Sequence, residues 1–272
     1  RYSSVTGVQT CALPIYFMLL QREVTTPIEV LPTGIELDRY KTADPMALRR
    51  ELSLAKDDIL LVHVGRLALE KNLEFMLNAV LRAMAQDNRL HLAIAGEGSF
   101  LPEMKGMVED AGDLHSRVHF LGTRTGEDLI NVYAGGDLFV FASKTETQGM
   151  VIAEAMGGAT PAIALDADGV RHLVCNGETG RLLPGDASEA EYAEALLAAV
   201  ADRDQLRAWA RSARRLARKY DMPVLAQRMM GLYRDLKSIP NRRLKTETMS
   251  FGLMRSYFET IWEQMENWIS KI

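Results

Sequence analysis

The chain has 272 residues, of which 47% are hydrophobic and 25% charged, with a formal net charge of −4. Those fractions fit one or two folded domains and exclude a disordered, collagen-like or disulfide-stapled chain. Cys11 and Cys175 are the two cysteines, too few for a metal cluster or disulfide framework. A cytoplasmic location is therefore expected, as no run of about 18 apolar residues could span a bilayer.

The chain opens on Arg1, and residues 1–15, RYSSVTGVQTCALPI, resemble translated sequencing-adapter read-through. The rival reading makes residues 11–20 the apolar core of a signal peptide, but a basic start beyond Arg1 and a small-x-small cleavage site are lacking. Residues 59–67, ILLVHVGRL, are the first apolar run. Over 71–86, Leu73, Met76, Leu77, Val80, Leu81 and Met84 recur at helical spacing. Residues 90–95 are apolar again and lead into Gly96-Glu97-Gly98. A capping-box pattern with Ser99 as cap predicts a helix over 99–111. Strands are expected at 118–122, 138–143, 161–166 and 181–183, helices at 127–134 and 149–159, and a helical turn at 170–174.

Glycine-bounded apolar runs alternating with amphipathic helices are the pattern of βαβ units. Strands that are apolar throughout are buried on both faces. An α/β fold follows, a Rossmann-like parallel sheet with helices on both faces and ligands at the carboxyl ends of its strands. Beyond residue 188 only helices are expected. Leu206, Trp209, Ala213, Leu216 and Tyr220 form one stripe, with Arg207, Arg211, Arg214, Arg215 and Arg218 mostly off it. A last helix is expected at about 248–271. Residues 203–245 hold 13 Lys and Arg against 3 Asp and Glu, a local balance of +10. That surplus fits an anionic partner or a solvated basic helix.

Four stretches could carry chemistry. In Gly65-Arg66-Leu67-Ala68-Leu69-Glu70-Lys71, Arg66 leaves a buried strand and Lys71 opens the next helix. Two cations beside free helix amides suit a diphosphate, whereas an ordinary turn would pair Lys71 with Glu74. Gly96-Glu97-Gly98 lacks the third glycine of a dinucleotide fingerprint, because Leu101 stands there. Close approach to a base or sugar, or a plain tight turn, stays open. Asp166-Ala167-Asp168 has metal-binding spacing but reads as a polar loop. The fourth stretch, residues 141–158, FASKTETQGMVIAEAMGG, is the most informative. Glu146 lies in a loop and Glu154 eight residues on, with the amides of Gly149, Met150 and Val151 beginning the helix between them. One carboxylate can accept from sugar hydroxyls and the other from both ribose hydroxyls, while the amides and helix dipole meet a phosphate.

In this order and spacing, Arg66 and Lys71, Gly96-Glu97-Gly98, and the E-x(7)-E of Glu146 and Glu154 resemble the donor-binding half of the family 4 retaining glycosyltransferases of the GT-B fold. The likeness runs over about residues 28–240. It implies that Arg66 and Lys71 hold the donor diphosphate and Glu154 the ribose. Glu146 and the backbone of Gly149–Val151 would hold the sugar ring and a phosphate, with Gly65, Gly96, Glu97 and Gly98 beside the donor. No metal or other cofactor is implied. The wording SKTETQGMVIAEAM resembles bacterial enzymes that glucosylate diacylglycerol from UDP-glucose, and the basic 203–245 stretch would then meet an anionic membrane. A GDP-mannose-dependent enzyme of the same fold and a non-catalytic nucleotide-sugar module are the alternatives; nucleic acid is not an expected partner. The implied organisation is an artefact or remnant of a missing N-terminal domain at 1–27, a nucleotide-sugar-binding domain at 28–239 and a helical tail at 240–272. The family often has Gly-Gly where Asp168-Gly169 stands here, a departure close to the sugar loop.

Overall fold

A computed structural model describes residues 8–10, 13–23 and 27–238. The chain opens with β1 (Val8–Thr10), α1 (Leu13–Gln21) and β2 (Ile28–Val30), and β1 pairs in parallel with β2. After the short α2 (Ala47–Glu51) come β3 (Ile59–Val64), α3 (Leu73–Met84), β4 (Leu90–Ala95), α4 (Leu101–Asp110) and β5 (Val118–Gly122). The chain then forms α5 (Gly126–Gly135), β6 (Leu138–Phe141), α6 (Met150–Gly157), β7 (Ala162–Leu165) and β8 (Gly180–Leu183). Three helices follow, α7 (Glu189–Ala201), α8 (Arg203–Ala217) and α9 (Met222–Ser238). The expected helix at 248–271 and the tail at 240–272 lie outside the described residues.

Strands β3 to β8 form one parallel sheet in the order β5-β4-β3-β6-β7-β8. Every residue of β3, β6 and β7 is buried, as required of strands covered on both faces. One face packs under α3, α4 and α7 through residues such as Leu77, Met104 and Leu196. The other packs under α5 and α6 through Ile130, Ile152 and Met156. Helix α8 joins the two layers, since Leu206 and Trp209 belong to the first core and Ala213 and Ala217 to the second. Its arginines lie mostly off that buried stripe, as amphipathicity dictates.

Local chemistry corrects two boundaries. Ser99 caps no helix: α4 starts at Leu101, without a side-chain cap. The amide of Phe100 donates to the Leu67 carbonyl at 2.9 Å, which holds the chain in a turn one residue past the predicted start. The capping box forms instead at α7, where Ser188 Oγ accepts from the Glu191 amide at 3.2 Å and Glu191 Oε2 accepts from the Ser188 amide at 2.7 Å.

Tyr192 of α7, fully buried, donates its hydroxyl to the Ile163 carbonyl of β7 at 2.8 Å and accepts from the Phe141 amide of β6 at 3.1 Å. One side chain thus ties the outgoing end of β6 to the neighbouring strand β7. Replacing it by phenylalanine strands a buried donor and a buried acceptor, at about 1–3 kcal/mol. Urea denaturation of Tyr192→Phe is expected to show that loss with an unchanged slope; an unchanged midpoint would remove Tyr192 from this role.

Candidate functional site

In the observed strand order, the chain runs from β3 outward to β4 and β5, then returns to place β6 on the other side of β3. The loops after β3 and β6 leave in opposite directions, and a crevice opens between their carboxyl ends. A cavity of about 350 Å³ lies there, lined by His63 of β3 with Gly65, Arg66 and Lys71 of the turn after it, and by Glu146 and residues 147–151 of the loop after β6 and the start of α6. Stretches some 75 residues apart in sequence meet at the position where open α/β sheets bind ligands.

Hydrogen bonds tie the two loops together. Lys71 Nζ lies 2.7 Å from Glu146 Oε1, both side chains only about a fifth exposed (22% and 18%). Thr145 Oγ1 donates to the Glu70 carbonyl at 3.1 Å, and Asn72 Nδ2 donates to the Ala142 carbonyl at 3.1 Å. Lys71 therefore pairs with neither Glu74 nor any other residue of α3, and it does not open that helix. It ends a short 3₁₀ turn, Leu69–Lys71, and Asn72 takes a left-handed conformation (φ 56°) before α3 begins. Asparagine tolerates that conformation better than most residues, and the bend turns Lys71 toward β6.

The two cations of the turn differ in availability. Arg66, 67% exposed, bonds Glu70 at 2.5 Å within one helical turn of sequence. Exposed i,i+4 pairs of that kind contribute only about 0.3–0.5 kcal/mol, whereas a charge-assisted hydrogen bond to an anion is worth roughly 1.5–3 kcal/mol. Arg66 can thus change partner at little cost. Lys71 has three N–H groups, so its bond to Glu146 leaves others to meet an anion.

Helix α6 aims its N-terminus at the same cavity. Gly149 caps it in the left-handed region (φ 62°), and an added Cβ would stand 2.9 Å from the Gly169 carbonyl oxygen. Only glycine meets both conditions without strain. The first amides, at Met150 and Val151, border the cavity with their unpaired N–H groups and the positive end of the helix dipole. Gly169 also packs against the backbone of Glu146 and Gln148, which fixes the acidic loop from behind.

Gly96-Glu97-Gly98 does not border this cavity. A Cβ on Gly96 would fall 1.9 Å from the Gly65 carbonyl oxygen and one on Gly98 2.2 Å from that of Leu67. The close backbone approach that glycine permits is directed at the neighbouring turn of the chain itself, and Glu97 is exposed beside it. Glu154 also stands apart. One turn along α6 from Met150, its carboxylate accepts from the Tyr133 hydroxyl of α5 at 2.5 Å and borders a second cavity with Gly34, Tyr40 and Gly126. The expected meeting of four charged groups in one crevice thus holds for Arg66, Lys71 and Glu146; Glu154 lies across the helix pair α5–α6. Burial pushes the hydroxyl pKa values of Tyr133 and Tyr40 upward, and the Glu154 carboxylate adds to both shifts, so both hydroxyls keep their protons. Asp166 and Asp168 are engaged by Arg171 at 2.9 and 3.3 Å.

Of the cavity residues that the sequence did not single out, His63 is the titratable one. His63 sits in β3, 2% exposed, with Nδ1 3.0 Å from the Val140 carbonyl oxygen and its ring against Phe139 and Phe141. Its Nε2 is buried without a partner among the described residues. Burial pushes its pKa down, chiefly by desolvation. The signal in the sequence was a lone polar residue in an apolar strand, two positions before Gly65 and so on the same strand face.

A family model described as "Glycosyl transferases group 1" matches residues 46–216. The chain belongs to that family. Among curated relatives, this glycosyltransferase chain is 36% identical over 186 residues to a D-inositol 3-phosphate glycosyltransferase of Nocardia farcinica. To an alpha-monoglucosyldiacylglycerol synthase of Streptococcus pneumoniae it is 28% identical over 188 residues. The matches cover 66% and 67% of this chain but only 41% and 42% of those relatives. Among solved structures, the Anabaena protein HepE in complex with UDP superimposes with a TM-score of 0.76 at 22% identity, covering 85% of this chain and 64% of that one. A sucrose-phosphate synthase from Thermosynechococcus elongatus gives 0.72 at 27% identity, covering 86% and 59%. The parallel sheet and its helices are those of a GT-B glycosyltransferase domain.

If the Lys71–Glu146 pair clasps the two loops, Lys71→Ala, Glu146→Ala and the double variant will show non-additive losses of stability. A coupling of roughly 0.5–3 kcal/mol is expected, read by urea denaturation of all four proteins. Additive losses would mean that the pair clasps nothing.

Proposed function

We infer that this chain is the nucleotide-sugar-binding part of a retaining glycosyltransferase whose donor is a UDP-hexose, UDP-glucose being the first candidate. The observation that carries the reading is the convergence of Arg66, Lys71, the start of α6 and Glu146 on one cavity at the switch point of the sheet. Two cations and a helix N-terminus suit a diphosphate, and a carboxylate beside them suits the hydroxyls of the sugar it carries. UDP is named with the solved structure of HepE, and UDP with GlcNAc for a pneumococcal O-GlcNAc transferase, which supports a uridine donor.

In this reading Arg66 leaves Glu70 for the diphosphate, and Lys71 meets it while still holding Glu146. The sugar's anomeric carbon gains a bond to the acceptor oxygen and loses its bond to the diphosphate. The acceptor proton passes to a departing phosphate oxygen. The protein's contribution is placement and the balancing of charge that builds on the leaving diphosphate. We assign that charge balance to side chains and helix amides rather than to a metal ion. Glu154, held by Tyr133 at the second cavity, is the carboxylate we propose for the ribose of a donor that reaches both cavities, and the turn at 96–98 is a support for Gly65 and Leu67. The relatives' names differ in acceptor, from D-inositol 3-phosphate to diacylglycerol, so the reading is committed on the donor. A GDP-mannose-dependent enzyme of the same fold and a non-catalytic nucleotide-sugar module are the competing readings.

Calorimetry on the 272-residue chain tests the proposal. UDP and UDP-glucose are expected to bind, and Arg66→Ala or Lys71→Ala to weaken UDP by at least about 1–2 kcal/mol. Unchanged affinity in both variants would overturn the assignment, and a preference for GDP and GDP-mannose would move it to the mannosyl reading. A peripheral membrane contact belongs to the same proposal, through Arg207, Arg211, Arg215 and Arg218, exposed or half-exposed along α8 and its end. With about 1 kcal/mol for each basic residue near an anionic surface, the chain should co-sediment with phosphatidylglycerol vesicles at low salt. Replacing these four arginines by glutamine should abolish that binding; equal binding to neutral vesicles would refute an electrostatic contact.

A further inference from the structure

His63 is a costly residue to place where it stands. It occupies the central strand β3, between strands buried on both faces, where an aliphatic side chain would leave no polar atom to satisfy. Half of its polar capacity is met inside the protein: Nδ1 lies 3.0 Å from the Val140 carbonyl of the neighbouring strand. A carbonyl oxygen only accepts, so the proton sits on Nδ1 and the ring's tautomer is fixed. That leaves Nε2 with a bare lone pair, without a partner among the described residues, in a side chain that borders the cavity holding Arg66, Lys71 and Glu146. Burial presses the ring toward its neutral form, with the Val140 hydrogen bond and the Glu146 carboxylate acting in the opposite direction and the Lys71 ammonium adding to the downward shift.

The chemistry of that lone pair selects what it can meet. A neutral imidazole nitrogen accepts hydrogen bonds and donates none, so it offers nothing to an ionised diphosphate, whose oxygens also only accept. The same cavity already supplies the donors a diphosphate needs. A sugar hydroxyl is the donor that a UDP-hexose would bring to this cavity. We propose that His63 Nε2 accepts a hydrogen bond from a hydroxyl of the donor's hexose and so discriminates among sugars on an otherwise similar nucleotide. The inference rests on the donor-site reading above. Its subject is a specificity-determining contact, and Phe139 and Phe141 hold the ring in place by stacking at 6.2 and 6.3 Å.

Calorimetry with matched ligands separates this inference from the reading beneath it. For wild type, His63→Asn and His63→Gln, affinities are measured for UDP against UDP-glucose and for GDP against GDP-mannose. Asparagine can keep the bond to Val140 while losing the Nε2 position, and glutamine can carry an acceptor to that position. His63→Asn is expected to weaken the preferred sugar nucleotide about tenfold while the bare diphosphate stays within about twofold, and His63→Gln to recover most of the loss. Equal losses on sugar nucleotide and bare diphosphate, or none, would overturn the role of His63 while leaving the donor site standing. A wild-type chain that binds none of the four ligands would remove the donor site and this contact with it. Should the variants fail to fold, nitrogen NMR on the wild type decides. The Nε2 resonance should lie in the unprotonated range and move upfield with the sugar nucleotide but not with UDP or GDP. A protonated Nε2, or a response to bare diphosphate alone, would overturn the proposal.

Discussion

The ion pair between Lys71 and Glu146 is the contact around which the site is organised. It joins the turn after β3 to the loop after β6 at 2.7 Å, across the point where the sheet changes direction. With both side chains largely withdrawn from water, the attraction is screened less than at the surface, and each charge needs the other. Thr145 and Asn72 reinforce the clasp with bonds to the opposite loop's backbone or strand end. Arg66 lies outside the clasp, in a weak exposed pair. The arrangement gives one cation held in the clasp and one in a weak pair that can change partner.

The surrounding backbone serves that geometry. Gly96 and Gly98 let the turn after β4 lie directly against the turn after β3, and Gly149 and Gly169 do the same for the loops after β6 and β7. Four loops at the carboxyl edge of the sheet thus support one another through backbone contacts that a Cβ would block. Beneath them, Tyr192 pins β6 to β7 from one face and α6 covers the other.

His63 fits this picture as the one polar side chain that the buried strand carries into the cavity. Its paired nitrogen is a strand-to-strand contact, and its other nitrogen is without a partner among the described residues. Buried polar groups without partners are uncommon in folded proteins, so each calls for an explanation.

The parallel sheet was legible in the chain because strands buried on both faces must be apolar throughout, and residues 59–64, 138–141 and 162–165 have no other reading beside amphipathic helices. The cationic turn and the acidic loop were legible as chemistry, since glycine, cation and carboxylate in that order have few structural uses in common. Strand order was not legible. Nothing local says that β6 returns to the side of β3 opposite β4, and that return alone brings Lys71 to Glu146 and makes a crevice. For the same reason Glu154 looked equivalent to Glu146 in sequence, although one more turn of α6 carries it to Tyr133 and a second cavity. For the Gly-Glu-Gly turn a ligand contact and a plain tight turn stayed open in the sequence, because close backbone approach looks identical whether the neighbour is a ligand or the protein. His63 went unremarked because a lone histidine in an apolar run shows its cost only once the strand is seen to be central, fully covered and a nitrogen short of a partner.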